Sequence, residues 1–278
     1  MKSGPFLSNA LSEEQAGRYE RDGYLAPLAA LSPAEVSAAR ASLAEFESRV
    51  GPSLNYLHYR HLHLFFRWAY DLAVHPAVLD AVESVLGPNI LVHSSTVFYK
   101  RARDRSYVSW HQDGYYWNVN VPRAVSAWIA LSESTPENGC MRVIPGSHAR
   151  GRLPHAPTAA DEDNMLVTGM EVASGADEGR ASDVSLAPGQ MSLHHIYLVH
   201  GSRPNPSDTE RVGYAVRYIS TEVKQALPHH AVVLARGRDD HGHYELLGGP
   251  PRGTPEESHA AHAGLLRWIG EMREREIR

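Results

Sequence analysis

Apolar positions in the first third of the chain recur at helical spacing. "LSEEQAGRYERDGYL" opens on Ser12 with Gln15 three residues later, the signature of a capping box, and Asp22-Gly23 breaks the run. "LSPAEVSAARASLAEFESRVG" repeats the signals, with Ser32 as cap, Pro33 in the first turn and Gly51 as stop. "HPAVLDAVESVLG" predicts a third helix ending at Gly87. From about residue 89 the spacing shortens to alternating or β-branched runs: "NILVHSSTVFYK", "AVSAWIALS", "MRVIPG", "QMSLHHIYLVHGS" and "RVGYAVRYIST". Turn signals at Glu137-Asn138-Gly139, Pro145-Gly146 and Pro188-Gly189 separate them. Short strands punctuated in this way predict an antiparallel barrel or double-sheet jelly roll.

These patterns set the expected organisation as one domain: a mostly helical part over residues 1–88, a β core over 89–235 and a closing helix over 255–278. Between the strands, "HAPTAADEDNMLVTGMEVASGADEGRASD" is small, acidic and poor in large apolar residues. A loop this long is expected to be functional or disordered, and residues 155–183 are expected to form a lid. Only its middle, Asn164 to Val172, has enough apolar surface to dock firmly.

Composition mainly removes options. A net charge of -5 and a pI near 6.4 give no electrostatic reason for a nucleic-acid partner. No apolar run approaches the roughly 18 to 20 residues of a spanning helix, and the N-terminus lacks the apolar stretch of a secretory signal. Cys140 is the sole cysteine, which rules out an internal disulfide and points to a cytoplasmic home. No feature of the sequence fixes an oligomeric state.

Among seventeen histidines, spacing has to select. In "YVSWHQDGYYW" a strand would place His111 and Asp113 on one face, about 6 to 7 Å apart, with Gln112 on the other. "MSLHHIYLVHGSRPN" offers His194 and His200 at one parity and His195 at the other. Two histidines and a carboxylate on one side of a metal form the facial triad of non-haem Fe(II) oxygenases, which leaves positions open for a 2-oxo acid and O2. The far carboxylate of such an acid calls for an arginine fork. Arg211 lies eleven residues after His200, and the small neighbours Gly213 and Ala215 are expected to leave ligand space.

His111-x-Asp113, His200 in "HGSRPN" and Arg211 occur with "LSEEQ…DGYL", "HPAVLDAVESVLGPNI", "SAWIALSESTPENGCMRVIPGSH" and "DNMLVTGMEV". Together they resemble the phytanoyl-CoA dioxygenase family of Fe(II)/2-oxoglutarate oxygenases, over most of the chain. The resemblance implies a double-stranded β-helix of jelly-roll type, with Fe(II) held by His111, Asp113 and His200. It further implies 2-oxoglutarate gripped by Arg211, O2 as oxidant, and Tyr99 and Trp128 lining the cosubstrate. The family includes halogenases in which a small residue replaces the acid; Asp113 favours hydroxylation.

His194 is the internal rival of His200 as third ligand, and the His200-to-Arg211 spacing favours His200. His58, His61 and His63 have no acid within their run; they are expected to cover the barrel mouth, with His61 a candidate substrate contact beside Tyr116 and Trp117. Arg217 is expected to make a salt bridge or touch substrate, and Cys140 to be a packed thiol. The expected activity is hydroxylation of a small organic substrate. Desaturation, cyclisation or epimerisation, a jelly-roll sensor without turnover, and a zinc hydrolase are the alternatives.

Overall fold

The computed structural model describes residues 10–116, 120, 122–158, 163–166, 169–173, 176–225 and 231–276. The first helices form where their caps predict. Ser12 accepts from the backbone of Gln15 and Ser32 from that of Glu35, each reciprocated by the side chain three residues on, at the starts of α1 (Glu13–Asp22) and α2 (Pro33–Val50). Gly23 ends α1 in the left-handed region at φ 77°.

The chain then enters a strand that the helical pattern concealed, β1 (Tyr24–Ala29), before α2 begins. Within the mostly helical part, "YLAPLA" pairs antiparallel with a later strand, Gln190–His195, and borders the main sheet. Two further helices follow, α3 (Arg67–Ala73) and α4 (Pro76–Leu86).

The remaining strands are β2 (Ile90–Lys100), β3 (Val108–His111), β4 (Ala124–Ala130), β5 (Met141–Val143), β6 (His155–Pro157), β7 (Met170–Val172) and β8 (Ser182–Val184). After them come β9 (Gln190–His195), β10 (His200–Ser202), β11 (Arg211–Ser220), β12 (Val232–Arg236) and β13 (Leu246–Leu247), and α5 (Pro255–Glu276) closes the chain. A large sheet runs β1-β9-β4-β11-β2-β12-β13, and a small one runs β3-β10-β5-β8. Sheet pairing is antiparallel except between β12 and β13. The fold is the expected jelly-roll type, with the sheets left open, and β13 carries the β core beyond residue 235.

Alternation divides the large sheet into two unlike faces. Val125, Ala127 and Ile129 of β4, with Val212, Tyr214, Val216 and Tyr218 of β11, pack outward against Leu43, Phe46, Leu72, Leu79 and Val82 of the helices. Tyr214 and Tyr218 donate their hydroxyls to the carbonyls of Ala69 and Ala73 at 3.0 and 2.8 Å, so even their polar tips are satisfied. The opposite face looks at the small sheet. There Phe98, Trp128 and Ala215 meet Val108, Met141, Val143 and Met165.

The long loop is not bare coil. β6 and β7 pair as a hairpin within it. Its middle docks on the small sheet's edge: Met165 donates to the Tyr107 carbonyl at 2.8 Å, and Asn164 Nδ2 donates to Ser109 Oγ at 3.1 Å. Flank residues 159–162 and 174–175, for which mobility is expected, lie outside the described residues. Among the described residues no helix is long and apolar enough to cross a membrane.

Candidate metal centre

β3 ends at His111, but Gln112 stays extended at φ -118°, ψ 129°, so alternation persists to Asp113. The pair therefore faces one way, and Gln112 turns its amide the other. Its Nε2 donates to the carbonyls of Gly151 and Tyr197, and its Oε1 accepts from the Leu153 N–H, which clamps the backbone between the two predicted ligands. On β10, His200 sits directly opposite His111 in register, with ring centroids 4.2 Å apart. One donor atom from each of His111, Asp113 and His200 lies within 4.8 Å of the others, and all three residues are buried.

The run holding His194 and His200 is not one strand. It turns at Ile196-Tyr197, where the Tyr197 N–H donates to His195 Nδ1, so the two histidines belong to different sheets. Strand parity therefore does not relate them. His194 instead faces the cluster from across the cleft, with its Nε2 3.6 Å from Asp113 Oδ2 and its ring 4.6 Å from that of His200.

Tautomers follow from geometry. His111 Nδ1 lies 2.9 Å from the Ser109 carbonyl and His200 Nδ1 lies 3.0 Å from that of Leu198. A carbonyl only accepts, so both Nδ1 atoms carry the proton and each Nε2 lone pair is free for a metal. Burial, reinforced by His111 and His194, holds His200 well below the usual imidazole range, so it stays neutral as a ligand must. For Asp113 burial alone would favour protonation. The Arg217 charge, with His111 and His194 close beside the carboxylate, overcomes it and holds the carboxyl well below its ordinary range.

A cleft of about 380 Å³ opens beside this cluster, walled by Phe98, Val108, Trp128, Met141 and Ala215, with both Arg211 and Arg217 in its lining. Arg211 is 2% exposed, stacks over the Trp128 ring at 5.5 Å, and has no hydrogen-bond partner for Nε or Nη2 among the described residues. Burial brings it down to about 10. A buried cation with unmet donors is costly unless an anion joins it, and this orphaned fork fits a carboxylate. Across the sheet, Lys100 donates to Ser202 Oγ at 2.7 Å and to the Arg203 carbonyl; burial and Arg211 push its amine down to about 6.

Not every expected residue reaches the cleft. Trp128 lines it, whereas Tyr99 points to the opposite face of β2, bonded to Glu210 under Arg101. That removes Tyr99 as a cosubstrate wall; on β2 the inward parity belongs to Phe98 and Lys100. Gly213 leaves no ligand space either, because a Cβ there would lie 1.8 Å from the Trp128 ring: the gap belongs to that indole. His61 lies on the turn docked at Ser95, and its N–H donates to the Ser95 carbonyl, apart from the cleft lining. Tyr116 comes near, its ring 6.2 Å from that of His111 and its hydroxyl donating to the Met170 carbonyl of the hairpin. Trp117 lies outside the described residues.

Lys100, Ser126 and Ser202 join the site without any motif in the sequence to mark them. A lysine directly after the apolar and aromatic run Val97-Phe98-Tyr99, and a serine two positions before Trp128, are the available signals.

A jelly roll whose cleft carries two histidines, a carboxylate and a buried arginine is the arrangement of the Fe(II)/2-oxoglutarate oxygenases. The chain belongs to the phytanoyl-CoA dioxygenase (PhyH) family, whose model matches residues 19–213. The family's cofactors are Fe(II), 2-oxoglutarate and O2.

The chain is 27% identical over 176 residues to a probable alpha-ketoglutarate-dependent hypophosphite dioxygenase of Stutzerimonas stutzeri, covering 62% of this chain and 61% of that one. It is 34% identical over 145 residues to the 1-deoxypentalenic acid 11-beta-hydroxylase of Streptomyces arenae, covering 49% and 50%. It thus spans between half and two thirds of the length of these curated relatives. Among solved structures, the apo non-heme monooxygenase ThoJ superposes with a TM-score of 0.80 at 34% identity, covering 94% of this chain and 98% of that one.

Proposed function

We propose that the chain is an Fe(II)/2-oxoglutarate-dependent hydroxylase of a small organic molecule. In this reading His111 and His200 hold the metal through Nε2, Asp113 holds it through one carboxylate oxygen, and Arg211 anchors the far carboxylate of 2-oxoglutarate. The observation that carries it is the orphaned guanidinium of Arg211, buried in the same cleft as the donor cluster. Bound iron, 2-oxoglutarate and O2 supply the oxidising chemistry, giving succinate and CO2 and adding one oxygen atom to a substrate C–H bond.

The chain's own residues shape and shelter that reaction. Lys100 and Ser202 extend the polar end beyond Arg211, and Trp128 covers the guanidinium and keeps water from it. Phe98, Val108 and Met141 give a substrate's carbon skeleton an apolar wall near the donors. The bond from Tyr116, beside His111, to the Met170 carbonyl of the hairpin supports a reading in which Tyr116 meets substrate and the loop over 155–183 serves as a lid. The named substrates of the relatives, hypophosphite and 1-deoxypentalenic acid, are small molecules, which supports a small-molecule substrate here.

The test supplies Fe(II), 2-oxoglutarate and O2 with candidate substrates, and measures succinate and product mass together. Substrate-stimulated succinate with a product heavier by one oxygen atom is expected. A product lacking two hydrogens, or one of unchanged mass and inverted stereochemistry, would replace hydroxylation by another outcome of the same iron chemistry. Absence of succinate under all conditions would overturn the enzyme.

A further inference from the structure

We propose that Ser126 and Arg217 are positioning residues that restrict Asp113 to a single metal-binding oxygen. The inference rests on the reading of His111, Asp113 and His200 as a metal site. Asp113 emerges from the end of β3, in the small sheet, yet its Oδ2 reaches the large one. Three residues wait there in a row across three adjacent strands. Arg217 on β11 is the register partner of Ser126 on β4, and Ser126 is the register partner of His194 on β9.

All three converge on the same oxygen. Ser126 Oγ donates to Asp113 Oδ2 at 2.6 Å, Arg217 Nε lies 3.4 Å from it, and His194 Nε2 lies 3.6 Å from it. The other oxygen, Oδ1, is the one that faces His111 Nε2, at 3.7 Å. A carboxylate oxygen offers two lone-pair directions. The serine hydroxyl takes one of those of Oδ2 and the Arg217 charge lies against the same oxygen, so that Oδ1 is left for the metal.

Arg217 is itself held for this task. Its Nη1 donates to Thr96 Oγ1 at 3.2 Å and its guanidinium lies 5.9 Å from the Phe98 ring, so it cannot swing away without losing both contacts. The consequence is chemical. If Oδ2 could turn to the metal, the carboxylate would chelate it and occupy a position that a bidentate 2-oxo acid needs. Fastening Oδ2 to the large sheet keeps that position open and ties the two sheets together through the ligand.

The test uses the full chain and Co(II) alone as probe, with affinity measured against a competing chelator and coordination read from the visible Co(II) bands. Ser126→Ala should weaken Co(II) by about tenfold or more, in the range seen when a partner of a ligand is removed, and should shift the bands as the second oxygen joins. Ser126→Thr, which keeps the hydroxyl, should restore both. Arg217→Met should weaken Co(II) and Arg217→Lys should do so less, with thermal melts showing each variant folded. Ser126→Ala and Arg217→Met that bind within twofold of the unaltered chain, with unshifted bands, would overturn the proposal; so would a Ser126→Thr that behaves like alanine. His111→Ala separates the two readings: if it retains full Co(II) affinity, the metal site falls and this inference with it. If it loses Co(II) while Ser126→Ala is unaffected, only this inference falls.

Discussion

The two faces of the large sheet come from the same strands and follow opposite rules. Along β11 the outward residues are Val212, Tyr214, Val216 and Tyr218, and the inward ones are Arg211, Gly213, Ala215 and Arg217. Outward, every large side chain is buried against helices and the tyrosine hydroxyls find carbonyls. Inward, one guanidinium is buried with donors unmet among the described residues and another leans on a carboxylate. The outer face, packed on the helices, lets the inner one keep a guanidinium that a ligand can satisfy.

Exchanging residues between the two kinds of face should separate stability from chemistry. Tyr218→Ala removes a fully buried ring from the outer core and should cost about 3 to 5 kcal/mol, read as a fall in denaturant midpoint. His111→Ala or His200→Ala should abolish metal binding while lowering the midpoint less than Tyr218→Ala does. Normal turnover in either histidine variant would remove that residue from the ligand set.

Arg211 sharpens the contrast, because its burial has the opposite sign. Arg211→Ala should raise the 2-oxoglutarate requirement by roughly tenfold or more, and Lys should rescue only in part, since it lacks the planar fork. Arg211→Met should melt higher than the unaltered chain when no ligand is present, because an uncompensated buried charge has gone. Added 2-oxoglutarate should then stabilise the unaltered chain but not the variant. A lower melting temperature for ligand-free Arg211→Met would mean that the guanidinium is already satisfied.

A smaller effect is expected at Gly213, within the inner face itself. The added methyl of Gly213→Ala would overlap the Trp128 ring. Relief by shifting the indole should cost about 1 to 3 kcal/mol and should weaken 2-oxoglutarate binding, since Trp128 lies over Arg211. Unchanged cosubstrate affinity would show that Trp128 does not support the arginine.

The same contrast explains what was legible in the sequence. Helix caps at Ser12 and Ser32, the strand runs, and the His111-x-Asp113 spacing are local signals, and each corresponds to an element or a shared face in the structure. β1 was hidden because its partner, β9, lies about 165 residues away in the chain and its own six residues include Pro27. Tyr99 was misplaced because motif likeness carries no parity; its neighbour Phe98 faces the cleft. The row of His194, Ser126 and Arg217 lies across three strands, and no spacing along one strand reveals a row that runs perpendicular to it.

The smallest expected effect concerns pH and belongs wholly to the outer side. His262 on α5 is 2% exposed among Phe46, Phe65 and Phe66, and its Nε2 donates to the Arg60 carbonyl at 2.8 Å. Burial brings its pKa down to about 4, with His58 and His259 adding repulsion. The unfolded chain, with a histidine near about 6.5, takes up the proton first. Its contribution to stability is therefore complete above that value and is lost as pH falls towards 4. His262→Gln keeps a donor for Arg60 but does not titrate. The stability difference between the two chains should be widest near neutral pH and should narrow as pH falls through that window. Denaturant midpoints at several pH values measure it, with other titrating groups cancelling between the chains. A constant difference would place the titration elsewhere, and a difference that changed on adding Co(II) would show that the two faces are not independent.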